Sequence, residues 1–233
     1  MLQDIFMLGI LFSGGKDSVF TTYYYLEQAW DVKCLISLRS ANKESWMFHT
    51  PAIEMVELQS KALGIPLILQ ETQGEKESEL EDLELVLKMA KKDFGLRAVA
   101  VGALLSDYQH ERVNRICHSL GLKCFAPLWH KDQEKLLHGI IALGFDARFV
   151  GIASQGLDES WLGRKIDMHA LEDLKKLNKE FRVHIGGEGG EYESLIVDGP
   201  IFMERIELVE TKKVMEGENS GRLEVLKAVL HDK

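Results

Sequence analysis

Three cysteines in 233 residues are too few and too scattered to form a framework: Cys34, Cys117 and Cys124 make no C-x-x-C pair and sit among apolar neighbours. Zinc, iron–sulfur and disulfide scaffolds are therefore not expected. No apolar run approaches the roughly 18 residues of a membrane span. The first twelve residues lack a basic start and carry Asp4, so they do not read as a secretory signal. A cytoplasmic protein with no membrane partner is the expectation. A basic excess is missing too. The net charge is −9, with 13 Lys and Arg against 17 Asp and Glu in residues 1–130 and 15 against 20 in residues 131–233. Neither half has the composition of a nucleic-acid module, so nucleic acid is not an expected partner. Repeats and low-complexity tracts are also absent.

What is present is an ordinary globular composition, 45% hydrophobic and 28% charged, in a chain long enough to bury a proper core. Its most informative stretch comes early. The apolar run Ile5–Phe12 is too short for a helix and is followed by Ser13-Gly14-Gly15-Lys16-Asp17-Ser18 and a helical pattern. Strand, tight loop and helix in that order make an anion site. Glycines let backbone N–H groups approach a phosphate, the helix N-terminus adds its positive end, and Lys16 adds a mobile charge. The Walker loop is excluded twice over: Ile10 stands where its first glycine belongs, and Asp17 replaces the hydroxyl that binds magnesium. The plain structural alternative is a β–α turn with an exposed lysine.

Further along, Ser18–Gln28 has helical spacing, with Tyr23-Tyr24-Tyr25 read as packing, and Val32–Leu38 reads as a strand. Residues 40–48 read as a loop. Thr50 and Pro51 open a helix that stops at Gly64, and His49 is structural or exposed, with substrate contact as the alternative. Leu67–Gln70 is a third strand. Glu77–Phe94 is a helix with Leu80, Leu83, Leu87 and Ala90 on one face and a solvated acidic run, Glu75–Glu84. Arg97–Val101 reads as a strand buried on both faces and ends at Gly102. Strands separated by helices predict a doubly wound parallel sheet whose ligands gather at the carboxyl ends of the strands. Gly102 and the helix beginning near Ser106 and Asp107 then fall on the nucleotide side. That helix carries Tyr108, Gln109, Arg112 and Arg115, with Arg115 read as surface.

Pro127-Leu128-Trp129 is taken to close a first domain, residues 1–130. A smaller α/β domain, residues 131–233, follows, with the active site expected in the cleft between them. Helices are predicted over Asp132–Leu143 and Asp167–Phe181, strands over Arg148–Ala153 and Ser194–Val197, and a closing strand pair over Ile201–Glu210 and Leu223–His231. Between them lies Ile185-Gly186-Gly187-Glu188-Gly189-Gly190-Glu191-Tyr192. Its glycines miss the dinucleotide spacing, because Tyr192 takes the last glycine place. Gly187, Gly189 and Gly190 suit close approach to a ligand. Glu188 and Glu191 are candidates to bind ammonium, deprotonate it or hold Mg²⁺; the plain alternative is a bulged turn.

The segment Ser13–Ser18 resembles the pyrophosphate loop of the N-type ATP pyrophosphatases, on an adenine-nucleotide α-hydrolase-like fold. Together with Ser106-Asp107-Tyr108-Gln109, Arg112, Pro127-Leu128-Trp129, Gly187-Glu188-Gly189-Gly190-Glu191-Tyr192 and Asp198-Gly199-Pro200, it resembles the diphthine–ammonia ligase family over most of the chain. That resemblance implies ATP and Mg²⁺ as cofactors and the diphthine-bearing translation elongation factor and ammonium as partners. The expected reaction adenylates the diphthine carboxylate, releases pyrophosphate and lets ammonia displace AMP. Ser13, Gly14, Gly15, Lys16, Asp17, Ser18 and Gly102 would hold the nucleotide. Ser106, Tyr108, Gln109, Arg112, Gly187, Gly189 and Gly190 would face the substrate, and Lys16, Glu188 and Glu191 would act in catalysis. The rivals are a transfer-RNA-modifying adenylating enzyme, which would want paired cysteines or a basic face, and a non-catalytic nucleotide sensor, which would need no Glu188 or Glu191. No cysteine sits on a nucleophile elbow, so free ammonium, not glutamine, is the expected nitrogen source. Metal ligands and oligomeric state have no readable signal.

Overall fold

The computed structural model describes residues 7–40, 53–73, 78–102 and 107–233. In chain order the elements are β1 (Met7–Leu11), α1 (Lys16–Glu27), β2 (Asp31–Ser40), α2 (Val56–Leu63), β3 (Leu67–Thr72), α3 (Ser78–Phe94), β4 (Ala98–Ala100), α4 (Asp107–Ser119) and β5 (Lys123–Phe125). They continue with α5 (Gln133–Ala142), β6 (Asp146–Ala153), α6 (Met168–Phe181), β7 (Tyr192–Asp198), β8 (Glu204–Met215) and β9 (Ser220–Asp232). His49, Thr50, Pro51 and Ser106, singled out in the sequence, lie outside the described residues. The chain forms two compact units. One takes in the described parts of 1–13, 17–49 and 64–130; the other takes in residues 14–16, the described part of 50–63, and 131–233.

The first unit is a five-stranded sheet in the order β3-β2-β1-β4-β5, every pair parallel. Strands buried on both faces read as continuous apolar runs, and Ala98, Val99, Ala100 and Val101 are at most 2% exposed. Leu83, Val86, Leu87 and Ala90 of α3 pack with Val113, Ile116 and Cys117 of α4 against Cys34, Ile36 and Val99. The acidic face of α3 is less uniformly solvated than its composition predicts. Glu79 is 1% exposed, whereas Glu81 is exposed. Glu79 lies in the first helical turn, where unpaired N–H groups and the dipole favour a carboxylate. The short strand β5 also goes beyond the expected pattern: Lys123–Phe125 has no alternation to announce it and is defined by its ladder to β4.

The second unit is built on an antiparallel sheet in the order β7-β6-β9-β8. Asp132 and Asp167 cap α5 and α6 by accepting from the N–H groups of Lys135 and Ala170. Phe149, Trp161 and Tyr192 meet edge to face, at centroid separations of 5.0 and 4.8 Å around Phe149. The closing hairpin is longer than its sequence pattern suggests, extending from Glu204 to Asp232 around a turn at 216–219. Helix α2 belongs to this unit, and the Ala62 carbonyl accepts from Met203 N–H at 2.7 Å.

Candidate active site

In the first unit the strand order reverses between β1 and β4, so the loops that follow these two strands flank a crevice of the kind where open α/β sheets bind ligands. After β1, Phe12 N–H still pairs with Ile36 O, and the Phe12 carbonyl accepts from Ser37 Oγ. The chain then turns at Ser13, whose N–H donates to Ser18 Oγ at 3.2 Å; the two hydroxyls lie 3.3 Å apart. Gly102 follows β4. A Cβ there would lie 3.1 Å from Ser18 N and 3.2 Å from the Asp17 carbonyl carbon, so the absence of a side chain is what lets the end of β4 approach the start of α1. Ser13, Asp17, Ser18 and Gly102 are thereby brought together. Tyr108, Gln109 and Arg112 share α4, with Arg112 half-buried.

The middle of the loop, Gly14–Lys16, is fixed within the second unit. Gly14 takes φ +77°, in the left-handed region, and its carbonyl accepts two hydrogen bonds, from Ile196 N–H at 3.1 Å and from Gln59 Nε2 at 2.8 Å. The same Nε2 donates to Ile196 O at 2.7 Å. Lys16 N–H donates to Ser194 Oγ at 3.1 Å. The Lys16 side chain is 5% exposed, not the surface lysine of the plain alternative, and its Nζ stands 5.6 Å from the Tyr192 ring centroid, within cation–π range.

Tyr192 ties this cluster to the glycine-rich turn. Its hydroxyl donates to Ile185 O at 2.7 Å, and its ring packs so closely on Gly187 that a Cβ there would meet ring carbons at 3.0 Å. Gly190 N–H closes the turn onto Gly187 O. Glu191 is committed inside it: one carboxylate oxygen accepts from His184 N–H at 3.0 Å and the other from Gly189 N–H at 2.9 Å. His184 Nδ1 accepts from Gly186 N–H and Glu188 N–H, which places the ring proton of the neutral imidazole on Nε2. Glu191 staples backbone, whereas Glu188 is half-buried and contributes its own N–H to the turn.

Among the described residues no group of three His, Cys, Asp or Glu side chains is placed to hold a metal. Burial pushes the Cys34 thiol up to about 12. A hydrogen bond between Cys117 and Cys124 raises Cys117 and lowers Cys124, and burial raises Cys117 further. Sequence reasoning passed over Gln59 and Ser194. Both left a signal: Gln59 is a polar residue on the Val56–Ala62–Leu63 face of α2, and Ser194 stands between Tyr192 and Ile196 on the buried side of β7.

The sequence profile of the diphthamide synthase N-terminal domain matches residues 7–124, and that of the diphthamide synthase C-terminal domain matches residues 132–230. The chain is 34% identical over 228 residues to a diphthine–ammonia ligase of Danio rerio, covering 90% of this chain and 89% of the relative. The Homo sapiens enzyme of that name is 33% identical over 225 residues, covering 88% and 83% respectively. The Schizosaccharomyces pombe relative is 35% identical over 237 residues, covering 95% of this chain and 38% of the relative. The chain thus spans less than two-fifths of the length of the curated fungal relatives it matches.

Proposed function

Since the chain belongs to the diphthamide synthase family, we propose that it amidates diphthine on the translation elongation factor at the expense of ATP. A diphthine carboxylate oxygen attacks the α-phosphorus, the bond to the bridging oxygen breaks, and pyrophosphate leaves. The lone pair of ammonia then attacks the acyl carbon, the carbon–oxygen bond to AMP breaks, and AMP departs with the electron pair.

The observation that carries this reading is the joining of phosphate loop and glycine-rich segment through Lys16, whose N–H is held by Ser194 and whose ammonium faces Tyr192. A buried cation beside the loop suits a leaving group that gains charge as the bond breaks. We assign Lys16 to the phosphate oxygens and Glu188 to the incoming ammonium, from which it would take a proton. Glu191 orients the turn that presents Glu188. Ser13, Asp17, Ser18 and Gly102 would line the nucleotide side, and Tyr108, Gln109 and Arg112 the substrate side. With no protein-only metal cage among the described residues, Mg²⁺ would be held chiefly by the phosphates, supplying charge neutralisation there.

Incubation with ATP, ammonium and the diphthine-bearing factor should give AMP, pyrophosphate and the amide, read by nucleotide chromatography and mass spectrometry of the factor. ADP as the product would overturn the reading.

A further inference from the structure

We infer that Gln59 is a positioning residue for the phosphate loop, holding the Gly14–Gly15 peptide so that its N–H faces the nucleotide. This rests on the ATP-dependent reading above and adds to it a residue outside every motif that suggested it. Gln59 lies on α2, 45 positions from Gly14 and 137 from Ile196, and is fully buried. Both neighbours of its Nε2 are backbone carbonyls, which can only accept, so the amide orientation is fixed and both of its hydrogens are used.

The consequence follows from peptide geometry. In a trans peptide the C=O of one residue and the N–H of the next point in opposite directions. The Gly14 carbonyl is drawn towards α2 and β7 by Gln59 Nε2 and Ile196 N–H, so the Gly15 N–H is aimed the other way. Without those two donors the Gly14–Gly15 peptide can flip, since glycine has the backbone freedom to do so, and a flip presents a carbonyl oxygen to phosphate. Gln59 also explains why residue 14 carries no side chain: a Cβ there would lie 2.2 Å from Gln59 Oε1. One residue further on, Ser194 fixes the Lys16 N–H, so the loop is tethered on both sides of Gly15.

The test uses Gln59→Glu, which keeps the shape but leaves at most one donor, the proton of a buried carboxyl, for two carbonyls, and Gln59→Met, which keeps the volume without donors. Ser194→Ala probes the second tether independently of how residue 59 is tolerated. Titration calorimetry with MgATP and with inorganic pyrophosphate should show affinity falling about tenfold in each residue-59 variant, the scale of one lost buried hydrogen bond. Ser194→Ala should weaken binding in the same direction. In turnover, KM for ATP should rise while KM for the protein substrate stays unchanged, a split that general destabilisation would not produce. Folded Gln59 variants with wild-type affinity for both ligands would overturn this inference alone. Wild-type protein that binds neither ligand would overturn it together with the ATP-dependent reading.

Discussion

At the scale of single residues, Lys16 and Glu191 show how a charged side chain takes its work from its surroundings. Lys16→Ala should lower turnover by about 10²- to 10³-fold, as for loss of one donor to a developing anion, with the melting temperature little changed. A near-normal rate would remove Lys16 from the chemistry. Glu188→Gln should slow amide formation yet leave the Gly189 amide protected. Glu191→Gln should expose the His184 and Gly189 amides to hydrogen exchange, because each loses or weakens its acceptor. Equal exchange in wild type and Glu191→Gln would mean that the staple is dispensable. Gly14→Ala should destabilise by about 1–2 kcal/mol from the left-handed backbone alone, measured by urea denaturation, before its clash with Gln59 is counted. Cys124, whose pKa is lowered by Cys117, should alkylate ahead of Cys34, which burial holds protonated. Cys124→Ser should leave the ammonium-dependent rate unchanged; loss of that rate would make the thiol a participant.

Elements were legible where the signal is local. The caps Asp132 and Asp167 stand at the helix starts that their residue types announce. Asp167→Ala should cost about 1 kcal/mol in a urea titration, because Ala170 N–H loses its acceptor; no change would mean that water replaces it without loss. The strand, loop and helix around Ser13–Ser18 followed from an apolar run, two glycines and a helical period. Partners distant in sequence were not legible. The amphipathic face of Val56–Leu63 says that α2 covers a sheet, but nothing in it says which sheet, and so Gln59 could not be connected with Gly14. The pairing of β6 with both β7 and β9 was equally hidden, because alternation marks the faces of a strand and does not name its neighbours in the sheet. Within the glycine-rich turn, composition offered two equivalent carboxylates. That the turn brings two backbone N–H groups to Glu191 could not be read from composition.

For the whole molecule, the two diphthamide synthase profiles match residues 7–124 and 132–230, so both units carry the family's sequence pattern. Among the described residues no helix is long and apolar enough to cross a membrane. If neutral ammonia is the nucleophile, the rate at fixed total ammonium should rise as pH climbs towards the ammonium pKa, and glutamine should not substitute. Glutamine-dependent amide formation by pure protein would require a glutaminase site in the second unit. The most direct test of the central claim is a single-turnover reaction of the protein with ATP labelled at the α-phosphate, ammonium and the diphthine-bearing factor, quenched over time. Labelled AMP and the amide should accumulate in equal amounts, with pyrophosphate released no later than AMP. Labelled ADP, or AMP formed while the factor keeps its free carboxylate, would contradict that claim.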